Sequence, residues 1–249
     1  MALTIHAFCV GRAFGLPKPS FTYMRGWNDH QDLPLISYLI LGGEHPIVVD
    51  TGADVDSAMP LHGIRIEQSE SERMESIVAS AGIDPADVRI VINTHLHWDH
   101  SSKNHLFPHA DVIVQRSEVD FAGDPVMWHR RQFEALPGVT AAWRSAEDQI
   151  RVVEGDVEVA PGVTVVALPG HTPGSQGVLV EAESKRYLIA GDTVYLYENW
   201  EGDQDVPHIP VGLYTDLVAY ENSIKRIESF DCEVIPSHDF RVIERGVFS

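Results

Sequence analysis

The chain has 249 residues, in which 37 aspartates and glutamates outnumber 18 lysines and arginines, so the formal net charge is −19. A field of that sign repels polyanions and argues against nucleic acid and anionic membrane surfaces as partners. The apolar fraction of 44% is typical of a globular protein, and we expect a single domain over residues 1–249.

The sequence also lacks the features that predict export or membrane insertion. Its N-terminus has no basic segment followed by a long apolar run, and no apolar stretch reaches the roughly 20 residues of a membrane span. Cys9 and Cys232 lie beside apolar residues, which favours buried free thiols over a disulfide. We therefore expect a cytoplasmic protein.

Strands and short helices are predicted through the first half of the chain. Apolar runs at 35–41 and 46–49 flank the turn sequence at 42–45, which predicts a β-hairpin. Apolar residues fall on one face of a helix over 71–81, and a buried strand is predicted over 88–92.

The second half alternates in the same way, with one exception. Residues 121–148 have weak periodicity, and we expect an inserted helical or loop segment there. That segment is a candidate lid or oligomer contact, with an ordinary surface excursion as the alternative. The other predicted elements are strands over 112–115, 163–168, 177–181 and 187–190, helices from near 117 and over 216–228, and a final strand over 233–235.

The strongest chemical signal is the motif THLHWDH at 94–100, which directly follows the strand predicted over 88–92. In an extended segment residues two apart point the same way, so His95 and His97 can share one metal ion. Asp99 and His100 lie past the bend, where the chain can turn them toward a second ion. Imidazole and carboxylate together suit zinc, iron, manganese or cobalt.

Three further motifs follow predicted strands, and each supplies one metal-binding side chain. PGHTPGS at 169–175 presents His171, GDT at 191–193 presents Asp192, and SHD at 237–239 presents His238. Each motif is weak alone, but loops fed by a rigid sheet are what a preorganised site needs. Asp50, at the end of the strand over 46–49, is expected to orient a histidine or a loop, with a plain turn residue as the alternative.

Taken together, HxHxDH, GHTPGS, GDT and SHD resemble the metallo-β-lactamase superfamily, over a span from Asp50 to His238. The resemblance implies an α/β fold, a four-layer αββα sandwich with the metals at one edge of its two sheets. It also implies two divalent metal ions, with zinc expected and iron, manganese or cobalt as alternatives. The implied ligands are His95, His97 and His171 for one ion, Asp99, His100 and His238 for the other, and Asp192 as a bridge between them.

Within the superfamily the sequence resembles the N-acyl homoserine lactonases, which have a tyrosine at the position of Tyr195 and an aromatic residue at that of Trp98. The resemblance implies a dinuclear lactonase with a small-molecule substrate, in which a metal-bridging hydroxide attacks the lactone carbonyl. Tyr195 is then expected to donate to the developing oxyanion and Asp99 to return a proton to the leaving alkoxide. A homodimer is a candidate assembly.

Several alternatives stay open at this level. Glyoxalase II-like thioester hydrolases share three of the motifs, and the stretch QRSE at 115–118 fits both acyl-homoserine lactonases and pyridoxolactonases, which open a compact aromatic lactone. Persulfide dioxygenases with a single iron have a similar histidine motif. Apolar residues within 5–27 are interpreted mainly as core or interface, with the lining of a substrate tunnel as the alternative.

Overall fold

The computed structural model describes residues 2–249, and their strands form two sheets that pack face to face. The strands are β1 (Thr4–Pro17), β2 (His30–Leu41), β3 (Ile47–Val49), β4 (Arg65–Glu67), β5 (Ile90–Ile92), β6 (Asp111–Gln115), β7 (Ile150–Val153), β8 (Val157–Ala160), β9 (Val163–Ala167), β10 (Gln176–Glu181), β11 (Arg186–Ile189), β12 (Glu233–Ile235) and β13 (Val247–Phe248). The helices are α1 (Val55–Ser57), α2 (Met74–Ser80), α3 (Trp98–Ser101), α4 (Arg116–Gly123), α5 (Tyr197–Glu201), α6 (Leu217–Ser229) and α7 (Phe240–Arg245).

The larger sheet runs in the order β13-β1-β2-β3-β5-β6-β7, with β4 paired to β1, and the smaller one in the order β12-β11-β10-β9-β8. β2 and β3 are antiparallel, which confirms the predicted hairpin. From β3 to β7 the neighbouring strands are parallel, and so are β11 and β12. Because the carboxyl ends of parallel strands meet at one edge of a sheet, the loops that follow them lie close together.

Three apolar clusters separate four layers, which confirms the predicted αββα sandwich. Successive residues of a strand point to opposite faces, so Val91 faces the helices outside the larger sheet while Ile92 faces the second sheet. In the smaller sheet Tyr187 points between the sheets and Leu188 points toward α6. These strands are apolar on both faces, so the alternating direction of their side chains places successive residues in different clusters.

Most predicted elements are confirmed, with two corrections. The helix predicted over 216–228 is α6, which begins one residue later, at Leu217. Asp216 caps this helix, because its carboxylate accepts hydrogen bonds from the backbone N–H groups of Val218 and Ala219. β12 is not the final strand, because α7 and β13 follow it and β13 pairs with β1. The cysteines Cys9 and Cys232 are free but only half-buried, so the expectation of full burial was wrong.

The segment 121–148 consists of turns and a 3-10 helix, Ala142–Gln149, once α4 has ended at Gly123. Its aromatic residues Phe133 and Trp143 are buried in the cluster outside the larger sheet. Through these two residues the segment packs onto the same core as its neighbours. Within residues 2–249, none of the helices combines the length and apolarity needed to cross a bilayer.

Candidate metal centre

Four loops at one edge of the two sheets bring all seven predicted ligands together. The loops follow β5, β9, β11 and β12, as the sequence predicts. Ligand atoms within each of two groups lie within 4.8 Å of one another. One group is His95, His97, His171 and Asp192, and the other is Asp99, His100 and His238.

Asp192 lies between the two groups and presents one carboxylate oxygen to each. Its Oδ2 is 3.6 Å from His95 Nε2 and 3.3 Å from His171 Nε2. Its Oδ1 is 3.2 Å from His100 Nε2 and 3.1 Å from His238 Nε2. A carboxylate placed in this way can bind one ion through each oxygen.

Backbone carbonyls fix the orientation of two of the histidines. His171 Nδ1 donates to Leu213 O at 2.8 Å, and His238 Nδ1 donates to Pro34 O at 2.9 Å. With the proton held on Nδ1, the lone pair of Nε2 points toward Asp192 and is free to bind a metal ion.

Asp50 has the orienting role that the sequence predicted. Its Oδ2 accepts hydrogen bonds of 2.8 Å from His100 Nδ1 and from Thr94 Oγ1, and its Oδ1 accepts a third from Thr94 N. The backbone of Asp50 has φ +55°, a left-handed conformation that few residues other than glycine adopt. The tight turn after β3 thus directs the carboxylate at His100.

The arrangement of the donor atoms suits metal binding better than it suits hydrogen bonding among the donors themselves. His171 Nε2 lies 3.3 Å from His95 Nε2 and 3.2 Å from His97 Nδ1, so three imidazole nitrogens converge. His100 Nε2 is buried without a hydrogen-bond partner among residues 2–249. A buried polar atom of this kind is costly unless a partner satisfies it, and a cation bound by these nitrogens would do so.

Burial sets the protonation of the first group. Burial lowers the pKa of His95 and of His97 well below the usual imidazole value, and it lowers the pKa of His171 as well. Burial raises the pKa of Asp192, but the nearby imidazoles, above all His100, outweigh this effect and hold that pKa well below its usual value. Neutral imidazoles beside an ionised carboxylate are the forms that bind metal ions.

In the second group the pKa values of the two histidines are raised instead of lowered. Burial lowers the pKa of His100, but the carboxylates of Asp192, Asp99 and Asp50 outweigh it and raise that pKa well above its usual value. The pKa of His238 is also raised, because Asp192 outweighs the effect of burial. Ion binding at this group therefore has to displace protons, which makes it dependent on pH.

A pocket of about 870 Å³ opens over the two groups. Asp99, Tyr195 and His238 lie in its wall beside the centre. The Tyr195 ring packs edge-on against His171 and His238, with centroids 5.7 and 5.0 Å away. Burial, followed by the charges of Asp192 and Asp99, raises the pKa of Tyr195 well above its usual value, so the phenol stays protonated and can donate a hydrogen bond.

The remaining wall of this pocket is mostly apolar. Much of the apolar surface within 5–27 lines it, so the tunnel alternative holds for these residues, whereas Phe8 packs in the core outside the larger sheet. Apolar side chains from other segments complete the wall. The apolar lining residues include Phe14, Leu16, Phe21, Met24, Trp27, Leu33, Leu35, Ile64, Ile66 and Trp98.

Glu118 contributes to the centre in a way that sequence reasoning missed. Its Oε1 accepts from Leu96 N at 2.9 Å, and its Oε2 accepts from Thr172 Oγ1 at 2.6 Å and Gly174 N at 3.1 Å. The buried carboxyl group thus ties the loop after β5 to the loop after β9, and burial raises its pKa to about 7. Its place in the QRSE stretch was the available signal.

Glycine is required at position 174 for the same contact. A Cβ atom there would lie 2.2 Å from the backbone nitrogen of Glu118, closer than any side chain allows. The GHTPGS motif therefore carries a packing constraint as well as His171. Sequence reasoning also missed Ser237, which directly precedes the predicted ligand His238 and donates a hydrogen bond to Asp192.

Comparisons with known proteins agree with this geometry. A family model described as the metallo-beta-lactamase superfamily matches residues 36–238. An N-acyl homoserine lactonase from Bacillus sp is 33% identical over 207 residues, which cover 79% of this chain and 76% of the relative.

Two solved structures have a similar fold throughout. An N-acyl homoserine lactone hydrolase with the product N-hexanoyl-L-homoserine bound at its catalytic metal centre has a TM-score of 0.78 and 28% identity, and the match covers 98% of this chain and 97% of that one. The same values hold for a variant of the AiiA protein of B. thuringiensis with N-decanoyl-L-homoserine bound at its active site.

Proposed function

Since this chain belongs to the metallo-beta-lactamase superfamily and, within it, to the family of the N-acyl homoserine lactonases, we propose that it opens the lactone ring of N-acyl homoserine lactones with two divalent metal ions. It is a metal-dependent hydrolase that acts on cyclic esters. Structural relatives are described as quorum-quenching enzymes, and we assign the same role to this one.

One observation carries the proposal: six other metal-binding side chains surround Asp192 beside a largely apolar pocket. His95, His97 and His171 would hold one ion, and Asp99, His100 and His238 would hold the other. Asp192 would serve both ions, because each of its oxygens faces one group. When bound, the two ions supply Lewis-acid polarisation of the lactone carbonyl and acidify a water molecule.

The protein's own residues stabilise charge and move protons. Tyr195, whose phenol is held protonated, donates a hydrogen bond to the carbonyl oxygen as negative charge develops there. Asp99 lies in the pocket wall with a side chain 20% exposed, so it can reach a bound substrate. It would accept a proton from the attacking water and pass it to the ring oxygen as the acyl bond breaks.

The pocket accounts for the rest of the substrate. Its volume of about 870 Å³ and its apolar wall suit a hydrocarbon chain attached to a small polar ring. A compact aromatic lactone would leave much of this wall without a partner, so the acyl homoserine lactone is the better fit.

All seven donors are imidazole nitrogens or carboxylate oxygens, a set that suits zinc, iron, manganese or cobalt, and of these four ions we propose zinc. Mass spectrometry of protein purified without added metal tests this choice. A cytoplasmic location and a homodimer belong to the same proposal, and cell fractionation and light scattering test them.

The deciding experiment compares hydrolysis of four substrates by the zinc-loaded enzyme in a pH-indicator assay: two N-acyl homoserine lactones, one thioester and one compact aromatic lactone. We expect turnover of N-hexanoyl- and N-decanoyl-L-homoserine lactone, with kcat/KM much higher than for the thioester S-lactoylglutathione. Cleavage of the thioester alone would show a glyoxalase II-like enzyme and overturn the proposal. Turnover restricted to an aromatic lactone would leave a lactonase but replace the substrate.

A further inference from the structure

The indole of Trp98 is stacked on the imidazole of His62. The ring centroids are 3.9 Å apart and the planes differ by only 13°. Both side chains line the substrate pocket, and Trp98 stands between the proposed ligands His97 and Asp99. The orientation of this indole therefore affects the pocket wall directly beside the metal centre.

His62 is itself held by a buried carboxyl group. His62 Nε2 donates to Glu134 Oε1 at 3.3 Å, and the two side chains are only 2% and 4% exposed. The second oxygen, Glu134 Oε2, accepts from Ala142 N at 2.7 Å. Since both carboxyl oxygens have partners, Glu134 is fixed and in turn fixes the plane of the His62 ring.

Gln132 and Phe133, the two residues before Glu134, contact the metal-binding loop directly. Gln132 O accepts a hydrogen bond of 3.0 Å from Trp98 N, and Phe133 packs edge-on against His97 with centroids 4.6 Å apart. Glu134 follows with φ +52°, a strained backbone for a residue other than glycine. Strain and a buried polar pair both cost stability, so this arrangement points to a role in the site.

We infer that His62 and Glu134 are positioning residues that hold Trp98 as a fixed wall of the pocket and so determine how well the enzyme binds the side chain of its lactone. This inference rests on the proposed function and extends it to the segment 121–148. Within that segment Glu134 supports the pocket from the interior.

The energetic argument is preorganisation. A fixed indole loses little rotational freedom when a hydrocarbon chain packs against it, so the chain binds more tightly than it would to a mobile ring. Release of Trp98 should therefore weaken binding of long side chains more than it weakens binding of the lactone ring itself.

The chain offers a matched control outside the pocket. Trp200 stacks on His208 with centroids 4.4 Å apart, and His208 Nε2 lies 3.1 Å from Glu228 Oε1. The same three residue types make the same kinds of contact at a more exposed place, where the His208 and Glu228 side chains are 18% and 49% exposed, and none of the three lines the substrate pocket. Changes there show whether loss of such a group outside the pocket affects KM.

The test measures KM and kcat of zinc-loaded His62→Ala and Glu134→Gln against His208→Ala and Glu228→Gln. For N-decanoyl-L-homoserine lactone we expect KM to rise about 2- to 10-fold in the first pair, the range expected from the loss of one aromatic stack. We expect a smaller change in kcat, an unchanged metal content, and little change in KM for γ-butyrolactone, which has no side chain. The control pair should match the wild type.

Dependence on Trp98 is tested by a double-mutant cycle. If His62 acts through Trp98, His62→Ala should change KM much less in a Trp98→Ala background. His62→Phe, which keeps a ring for stacking, should restore part of the wild-type KM and also serves if His62→Ala does not fold. An unchanged KM in His62→Ala and Glu134→Gln, or an equal rise for γ-butyrolactone, would overturn the inference.

A measurement without substrate separates this inference from the proposed function. The indole N–H resonance of Trp98, assigned with Trp98→Phe, should shift or broaden in Glu134→Gln and stay in place in Glu228→Gln. If the wild type opened no lactone, the proposed function would fail while the resonance still tested the contact. If lactones were opened but neither KM nor the resonance responded, only the positioning role would fail.

Discussion

Ser237 donates a hydrogen bond of 2.8 Å to Asp192 Oδ1, the carboxylate oxygen that faces His100 and His238. The two residues meet because β11 and β12 are parallel neighbours, with Ile189 paired to Ile235, and each loop begins just after its strand. The hydroxyl fixes the rotation of the carboxylate on which both proposed metal sites depend.

Removal of that hydroxyl should weaken metal binding. In Ser237→Ala the carboxylate can rotate, and we expect the affinity for at least one ion to fall by about 10- to 100-fold, as is typical for the loss of a partner that orients a ligand. Titration with a competing chromophoric chelator measures the change. Ser237→Thr keeps the hydroxyl and should bind near the wild-type level; equal affinity in all three proteins would leave Ser237 without a role.

Loss of the Asp192 carboxylate should weaken metal binding more than loss of the Ser237 hydroxyl does. Asp192→Ala removes the carboxylate shared by the two groups, so we expect tight binding of both ions to be lost and lactone turnover to fall by more than about 100-fold. Metal analysis after gel filtration checks the first effect, and Asp148→Ala, a change at an exposed carboxylate, is the control. Retention of two ions per chain would rule out the bridging role.

Tyr195 should affect turnover without affecting the metals. Tyr195→Phe deletes one hydrogen-bond donor to the developing oxyanion, for which we expect kcat to fall by about 10- to 1000-fold. Tyr197→Phe is the matched control, since Tyr197 lies two residues away and outside the pocket lining. An unchanged rate in Tyr195→Phe would assign the residue to packing against His171 and His238.

Glu118 predicts a specific pH dependence of stability. Because burial raises its pKa from 4.5 to about 7, the folded protein binds this proton more tightly than the unfolded chain does. The stabilisation that comes from this proton is therefore complete below about pH 4.5 and is lost as pH rises to about 7. The loss lowers the free energy of unfolding by up to about 3 kcal/mol.

Other titratable groups of the centre also make stability depend on pH, so the measured quantity is a difference between two proteins. We expect the free energy of unfolding of the wild type minus that of Glu118→Gln to be larger at pH 5 than at pH 8, because glutamine cannot titrate. Denaturant titrations of both proteins at pH 5 and at pH 8 measure this difference. A difference that stays constant or grows with pH would show that Glu118 is ionised throughout.

Much of this structure follows from local sequence patterns. The hairpin of β2 and β3 shows in its turn residues, and the short, largely apolar runs of β5, β9 and β11 indicate strands that are buried on both faces. The ligands were predictable because each is a histidine or aspartate at the end of such a strand. Their grouping came from the resemblance to a known family, since no local pattern reports which strand ends meet.

The supporting contacts were harder to predict, for a physical reason. Pro34 and Leu213 orient His238 and His171 through backbone carbonyls, which every residue carries and which leave no trace in the sequence. β13 escaped notice because it has only two residues. The stacking of His62 on Trp98 joins segments that are far apart in the chain and share no motif.

Each group at the metal centre combines side chains from both sheets. His95 and His97 follow β5 of the larger sheet, whereas His171 follows β9 of the smaller one. On the proposed assignment neither sheet has enough ligands to bind an ion tightly alone, so full metal affinity arises only after the two halves of the sandwich have docked. Separation of the two sheets therefore requires release of the metal ions. By linkage, the bound ions stabilise the docked arrangement of the sheets.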